Sequence, residues 1–201
     1  MADPAALAIE RDPALVRLHA TWRNLAGLTI VALLSGFLLL QGTWGQEPAR
    51  RWTALAVLAS GYQLGFLRRN LAKNRRPEGG PRLSNLGAGT AVTALRGLLL
   101  AGVGGFLFSA RPPGGVAWVP TVLFTTAELL DYLDGYLARK ARRLTQLGEA
   151  FDLELDNLGM LIGSGLAVWY GSLPGPFLLI GLAGYLFRFG RGARQRAGRP
   201  V

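Results

Sequence analysis

Four aspartates, Asp131, Asp134, Asp152 and Asp156, fall within one short stretch whose flanks on both sides are strongly apolar. Charges at membrane depth cost roughly 2.5–3.5 kcal/mol each on insertion scales, so something must offset them. At helical spacing Asp131, Asp134 and Ala138 share one face, and Glu128 lies one turn earlier on the same side. Gly148, Asp152 and Asp156 recur every fourth residue and share another face, whereas Glu154 points roughly opposite. Four carboxylates gathered in a small volume cannot all ionise unaided: either some are protonated or a cation sits among them. Hard oxygen donors without histidine or cysteine beside them favour Mg²⁺, Mn²⁺ or Ca²⁺ over zinc. Four aspartates holding two such ions are a arrangement suited to phosphoryl transfer. Gly135, Ala138 and Gly148 leave the same faces bare, which makes room for a bulky, flat ligand bordered by Arg139. The plainer alternative is a solvated helix end whose aspartates pair with Arg139, Lys140, Arg142 and Arg143. Such exposed pairs contribute little, and they account for neither the shared faces nor the interleaved small residues.

The elements that must position these residues follow from the apolar pattern. The chain has 201 residues, 50% of them hydrophobic, with mean hydropathy +0.28 and a formal net charge of +10. Its apolar residues form long runs separated by short basic loops, the pattern of an all-α, polytopic membrane protein. About six transmembrane helices are expected, at 24–43, 53–67, 87–108, 115–138, 148–170 and 174–190. The connection between the fourth and fifth is short, so these two are expected to be antiparallel neighbours. Before the first span, Asp12-Pro13 reads as a helix start, and Leu15, Leu18 and Trp22 give a juxtamembrane helix. Asp3, Glu10 and Asp12 interrupt that segment, so it is not a signal peptide. Arginine and lysine concentrate in the N-terminal segment, in the 68–86 and 139–147 loops and in the tail. By the positive-inside rule these face the cytoplasm, with the aspartates beside them. Trp44, Trp52, Trp118 and Trp169 fall at the opposite ends, as an outer aromatic belt. The basic charge is therefore topological, and no nucleic-acid partner is expected. The breaker-rich 75–81 segment divides the chain into an N-terminal segment (1–23), a leading helix pair with its basic linker (24–80) and a remaining region (81–201). Gly102, Gly104, Gly105, Gly181 and Gly184 read as close helix packing.

The acidic stretch resembles the signature of the CDP-alcohol phosphotransferase family, Asp-x2-Asp-Gly-x2-Ala-Arg-x8-Gly-x3-Asp-x3-Asp. Asp131, Asp134, Gly135, Ala138, Arg139, Gly148, Asp152 and Asp156 meet every position and spacing. The resemblance implies an integral cell-membrane enzyme of phospholipid biosynthesis that displaces CMP from a CDP-linked donor with an alcohol. A membrane-embedded site favours CDP-diacylglycerol as the donor, with a soluble CDP-alcohol as the alternative. It further implies two Mg²⁺ or Mn²⁺ ions, a homodimer and contact with membrane lipids. Asp131, Asp134 and Asp152 become metal ligands, and Asp156 both a metal ligand and the general base on the acceptor hydroxyl. Gly135, Ala138, Arg139 and Gly148 line the cytidine nucleotide site.

Upstream, Thr93 and Arg96 match the second half of the family's Asn-x2-Thr-x2-Arg pattern, with Thr90 in place of the asparagine. An arginine inside an apolar helix is a functional candidate; pairing with the acidic site or with a phosphate would explain Arg96. Arg188 and Arg191 near the C-terminus are candidate contacts for a substrate phosphate, against a plain topological role. The signature spans the fourth and fifth helices here and the second and third in the family. The resemblance therefore makes the leading pair an addition and leaves the catalytic region short of C-terminal helices. A cation- or proton-coupled transporter using the aspartates, or a catalytically silent relative, are the alternative functions. A transporter would place its acidic groups nearer mid-bilayer.

Overall fold

The structure is a computed structural model describing residues 12–141 and 144–196, apart from the side chains of 134–141, 192, 195 and 196. Among the described residues the chain is all-helical, with six α-helices. These are α1 (Pro13–Thr43), α2 (Gln46–Asn70), α3 (Ala88–Gly104), α4 (Val119–Ala141), α5 (Gln146–Trp169) and α6 (Leu178–Arg196). Each of the six expected segments is largely helical.

The Asp12 side chain caps α1 by accepting the Ala14 N–H at 2.9 Å, and Pro13 occupies the first turn, where its missing N–H costs nothing. From there α1 runs unbroken for 31 residues. The expected separate juxtamembrane helix is thus the first part of the first long helix, because nothing between Pro13 and Thr43 breaks it. At about 46 Å, α1 is longer than the roughly 30 Å hydrocarbon core. It is the one described helix long and apolar enough to cross a membrane, whereas α3 is apolar but has only 17 residues. The charged residues of α2, α4 and α5 dilute their hydropathy.

Gly45, at φ 107°, turns the chain between α1 and α2 in a conformation few other residues adopt. α2 begins seven residues before the apolar run does. Pro48 is tolerated in the first turn, and Glu47 pairs with Arg51 at 2.9 Å, so residues with loop-like polarity are already helical. After α2 the connection is held by buried Asn74, whose amide donates to the Leu83 and Asn85 carbonyls at 2.9 and 3.0 Å. Thr145 caps α5 by accepting the Gly148 N–H at 2.9 Å.

α3 is the hub. It packs on α2, α4 and α5, while α1 lies on α2 and α6 on α5. Two apolar clusters fill the bundle. One gathers Leu33, Trp52, Val103, Phe106, Ile162 and Leu166. The other gathers Leu18, Leu67, Leu71, Leu147, Phe151 and Leu155. Trp52 belongs to the first and not to an exposed belt: it is 6% exposed and its indole N–H donates to the Gly102 carbonyl at 2.8 Å. Its ring lies where a Cβ on Gly36 or Gly105 would sit, within 2.5 Å in each case. A glycine on α1 and one just past the end of α3 thus make the slot that draws this tryptophan inward. Trp118 and Trp169 do lie exposed, as expected of belt residues. The other glycines read as packing positions also stand at tight contacts. A Cβ on Gly102 would come within 3.2 Å of Leu123, one on Gly104 within 3.3 Å of Ile162, and one on Gly181 within 2.9 Å of the Leu161 backbone.

Candidate active site

α3 presents Thr90, Thr93 and Arg96 three residues apart, and all three are buried. Arg96, only 2% exposed, carries the site. Its Nη1 lies 2.6 Å from Asp131 Oδ1 and 3.0 Å from Asp152 Oδ1, and its Nη2 lies 2.5 Å from Asp156 Oδ1. One guanidinium therefore joins three helices: α3 supplies the cation, α4 one carboxylate and α5 two. Oxygens of Asp131, Asp152 and Asp156 lie within 4.8 Å of one another. Glu128 is within electrostatic reach of Arg96, Asp131 and Asp156, as its place one turn before Asp131 implies.

The acidic faces meet, but not by direct packing of α4 on α5. Among the described residues the two backbones scarcely touch, and each packs on α3 instead. They form the walls of a cleft that has α3 as its floor. Sequence periodicity gave the faces correctly; a short connection does not specify which helix fills the space between two others. The cleft narrows where Phe124 covers Gly163, whose Cβ would fall 2.7 Å from the ring.

The arrangement is open on one side. The three aspartate side chains are 40–46% exposed, while the arginine beneath them is closed off. Among the described residues one guanidinium faces the three carboxylates, which stay open to solvent. A donor set of clustered, half-exposed carboxylates without histidine or cysteine among the described residues fits a hard divalent cation.

Gly148 sits at the start of α5 against α3, where a Cβ would stand 3.0 Å from Thr90 Oγ1 and 3.1 Å from Thr145 Oγ1. Its bare backbone lets α5 begin close beside Thr90. Asp134, Gly135, Ala138 and Arg139 continue α4 on the same stripe as Asp131, but their side chains lie outside the described residues. Arg188 is engaged elsewhere, and Arg191 lies exposed with its guanidinium 5.9 Å from the Phe187 ring centroid.

Arg188 belongs to a second polar cluster on the opposite side of α5. Glu154, 1% exposed, accepts hydrogen bonds from the Tyr62 hydroxyl and from Arg188 Nη1, and Tyr185 lies against Tyr62. Sequence reading set Glu154 aside because it points away from Asp152 and Asp156. The direction is right, but the residue was undervalued. A carboxylate inside an apolar helix needs a partner wherever it points, and that signal was available.

Residues 86–194, more than half of the chain, match the CDP-alcohol phosphatidyltransferase family. The chain belongs to that family, one of divalent-metal-using transferases of phospholipid biosynthesis. The match takes in α3, α4, α5 and most of α6, with Arg96 and all four aspartates; α1 and α2 lie before it. Comparison with curated proteins and with solved structures gives no match.

Proposed function

We propose that the chain is a polytopic membrane transferase that moves a phosphatidyl group from a CDP-linked donor, CDP-diacylglycerol, to an alcohol with release of CMP. The observation that carries this reading is the convergence of Asp131, Asp152 and Asp156 on buried Arg96, inside the region matched by the family. Asp131, Asp134, Asp152 and Asp156 are the residues that would hold two Mg²⁺ or Mn²⁺ ions. Bound there, the metal supplies positive charge to the pyrophosphate and to the departing CMP.

The chain's own residues supply the rest. Asp156 gives one oxygen to Arg96, which fixes the carboxylate and leaves its second oxygen to take the proton of the acceptor hydroxyl. The hydroxyl oxygen then forms a bond to the phosphorus nearest the lipid as the bond from that phosphorus to the CMP oxygen breaks. Gly135, Ala138, Arg139 and Gly148 border the place for the cytidine nucleotide. The half-exposed cleft admits a substrate, while α3 closes its floor against water.

Large apolar side chains stand exposed along α1, α4 and α6, among them Leu28, Leu38, Leu39, Leu129, Leu186 and Phe189. An apolar surface of this extent is at home in lipid or against another chain, which supports six spans and a homodimer. The positive-inside rule puts both termini and the carboxylates on the cytoplasmic side. The test is CMP release from CDP-diacylglycerol by purified protein with Mg²⁺ or Mn²⁺ and a panel of alcohols. Metal-dependent CMP with at least one acceptor is expected, and none with any donor or acceptor would overturn the reading.

A further inference from the structure

The end of the bundle away from the carboxylates holds a second cavity, of about 500 Å³, between the start of α4 and the end of α5. That is within the roughly 300–1,000 Å³ of small-molecule sites. Its lining runs from Trp118, immediately before α4, down to Thr125, six positions or about 9 Å of helical rise from Asp131, and the narrowing at Phe124 and Gly163 divides it from the catalytic cleft.

Its chemistry is two-sided. Arg111 Nη2 donates to the Tyr170 carbonyl and to Ser172 Oγ, each at 3.0 Å, and the guanidinium lies 5.2 Å from the Tyr170 ring centroid. Those contacts hold the cation in place without neutralising it. Among the described residues the lining contains no carboxylate and Arg111 has no ion-pair partner. Tyr170 beside it is an ordinary phenol and brings no charge. Thr121 and Thr125 add hydroxyls to the wall, while Phe124 and Leu166 make its deeper part apolar. A fixed, uncompensated guanidinium above an apolar slot, with an exposed tryptophan at the rim, suits an amphipathic anion standing at a membrane interface.

We infer that this cavity binds one anionic phospholipid, its phosphate on Arg111 and Ser172 and its upper chain against Phe124 and Leu166. A soluble phosphate would satisfy Arg111 but leave the apolar slot unfilled, and a zwitterionic lipid brings a cation with its phosphate. The inference does not depend on the transferase reading.

The test is native mass spectrometry of the full chain in detergent, titrated with phosphatidylglycerol or phosphatidylcholine, with EDTA throughout to keep the carboxylate site out of the readout. One phosphatidylglycerol per chain is expected, retained at least about fivefold better than phosphatidylcholine. Arg111→Gln should lose that preference, Arg111→Lys should keep part of it, and Thr125→Trp should reduce retention by filling the slot. Arg50→Gln, an exposed arginine outside the cavity, should change nothing. If Arg111→Gln does not fold, Thr125→Trp against Arg50→Gln decides the matter. Equal retention of the two lipids, or by wild type and both cavity variants, overturns the site. Equal loss in Arg50→Gln reduces it to general surface charge, and displacement by glycerol 3-phosphate alone rules out the lipid.

Discussion

α5 carries carboxylates on two opposite faces, and the two surroundings differ in kind. On one face Asp152 and Asp156 join Asp131 around Arg96, with the acids nearly half exposed. On the other, Glu154 is closed in by Tyr62 and Arg188, one acid to one base, and is 1% exposed. The first cluster gathers several acids and is open to solvent, the condition for taking up a cation and a substrate. The second is balanced and sealed, the condition for holding α2, α5 and α6 together. Burial separates a site from a clamp, although the residue types are nearly the same.

The sharpest way to break this comparison is to change one carboxylate on each face. Asp156→Asn keeps the size and one hydrogen bond to Arg96 but cannot accept the acceptor's proton. Turnover should fall by about 10³-fold or more, in line with loss of a general base, measured as CMP release. Glu154→Gln, two residues away, should stay within a few-fold of wild type. Comparable losses in both variants would show that the two faces do not have separate roles.

Arg96→Gln comes next. Three carboxylates would lose their shared partner, and breaking a buried pair costs about 3–5 kcal/mol. The half-exposed acids are partly solvated, which brings the expected loss to about 2 kcal/mol. Thermal unfolding should show it, and Mn²⁺ should then stabilise the variant more than the wild type, because metal would replace the missing positive charge. A variant as stable as wild type without metal would remove Arg96 from its place as counter-ion.

Much of this was legible beforehand. The spacing of Asp131, Asp152 and Asp156 gave their shared faces, and the isolated charge of Arg96 in an apolar helix pointed to an acidic partner. What the sequence does not encode locally is the choice of neighbour. Trp52 has the position of an interfacial residue, and only the juxtaposed Gly36 and Gly105 turn it into the core. Tyr62, Glu154 and Arg188 lie on three helices separated by 92 and 34 positions; periodicity supplies their directions but not their meeting. The first helix was divided in two because hydropathy changes along it, whereas backbone continuity depends only on the absence of a breaker.

The clamp itself can be tested more gently. Glu154→Gln leaves Tyr62 a partner but removes the charge opposite Arg188, which is itself 46% exposed and can turn to solvent. A loss of about 1–2 kcal/mol is expected, the range for a hydrogen bond to a charged group. Restoration by Glu154→Gln combined with Arg188→Leu, read by thermal unfolding, would mark the pair as mutually dependent. An additive loss would instead mean that each residue stabilises the bundle separately.

The smallest effect is expected at Gly184, in the packing that seats α6 beside that clamp. At Gly184 an added Cβ would meet the Asn157 side-chain amide, which is the free end of a flexible group. That amide now donates to the Leu153 carbonyl at 2.9 Å and can give way by losing this bond. Gly184→Ala should therefore cost about 1 kcal/mol or less. At Gly181 the Ser164 hydroxyl is nearest and can rotate away, but behind it stand backbone atoms, Leu161 Cα at 2.9 Å and the Met160 carbonyl at 3.0 Å, which cannot turn aside. Gly181→Ala must move α6 bodily and should lie higher in the roughly 1–3 kcal/mol range for overpacking. The order of the two, measured by thermal unfolding, is the informative quantity. If Gly184→Ala were the more damaging, α6 would be seated by the Asn157 contact and not by close backbone approach. The Glu154–Arg188 pair would then be held in place by a polar contact beside it and not by helix packing.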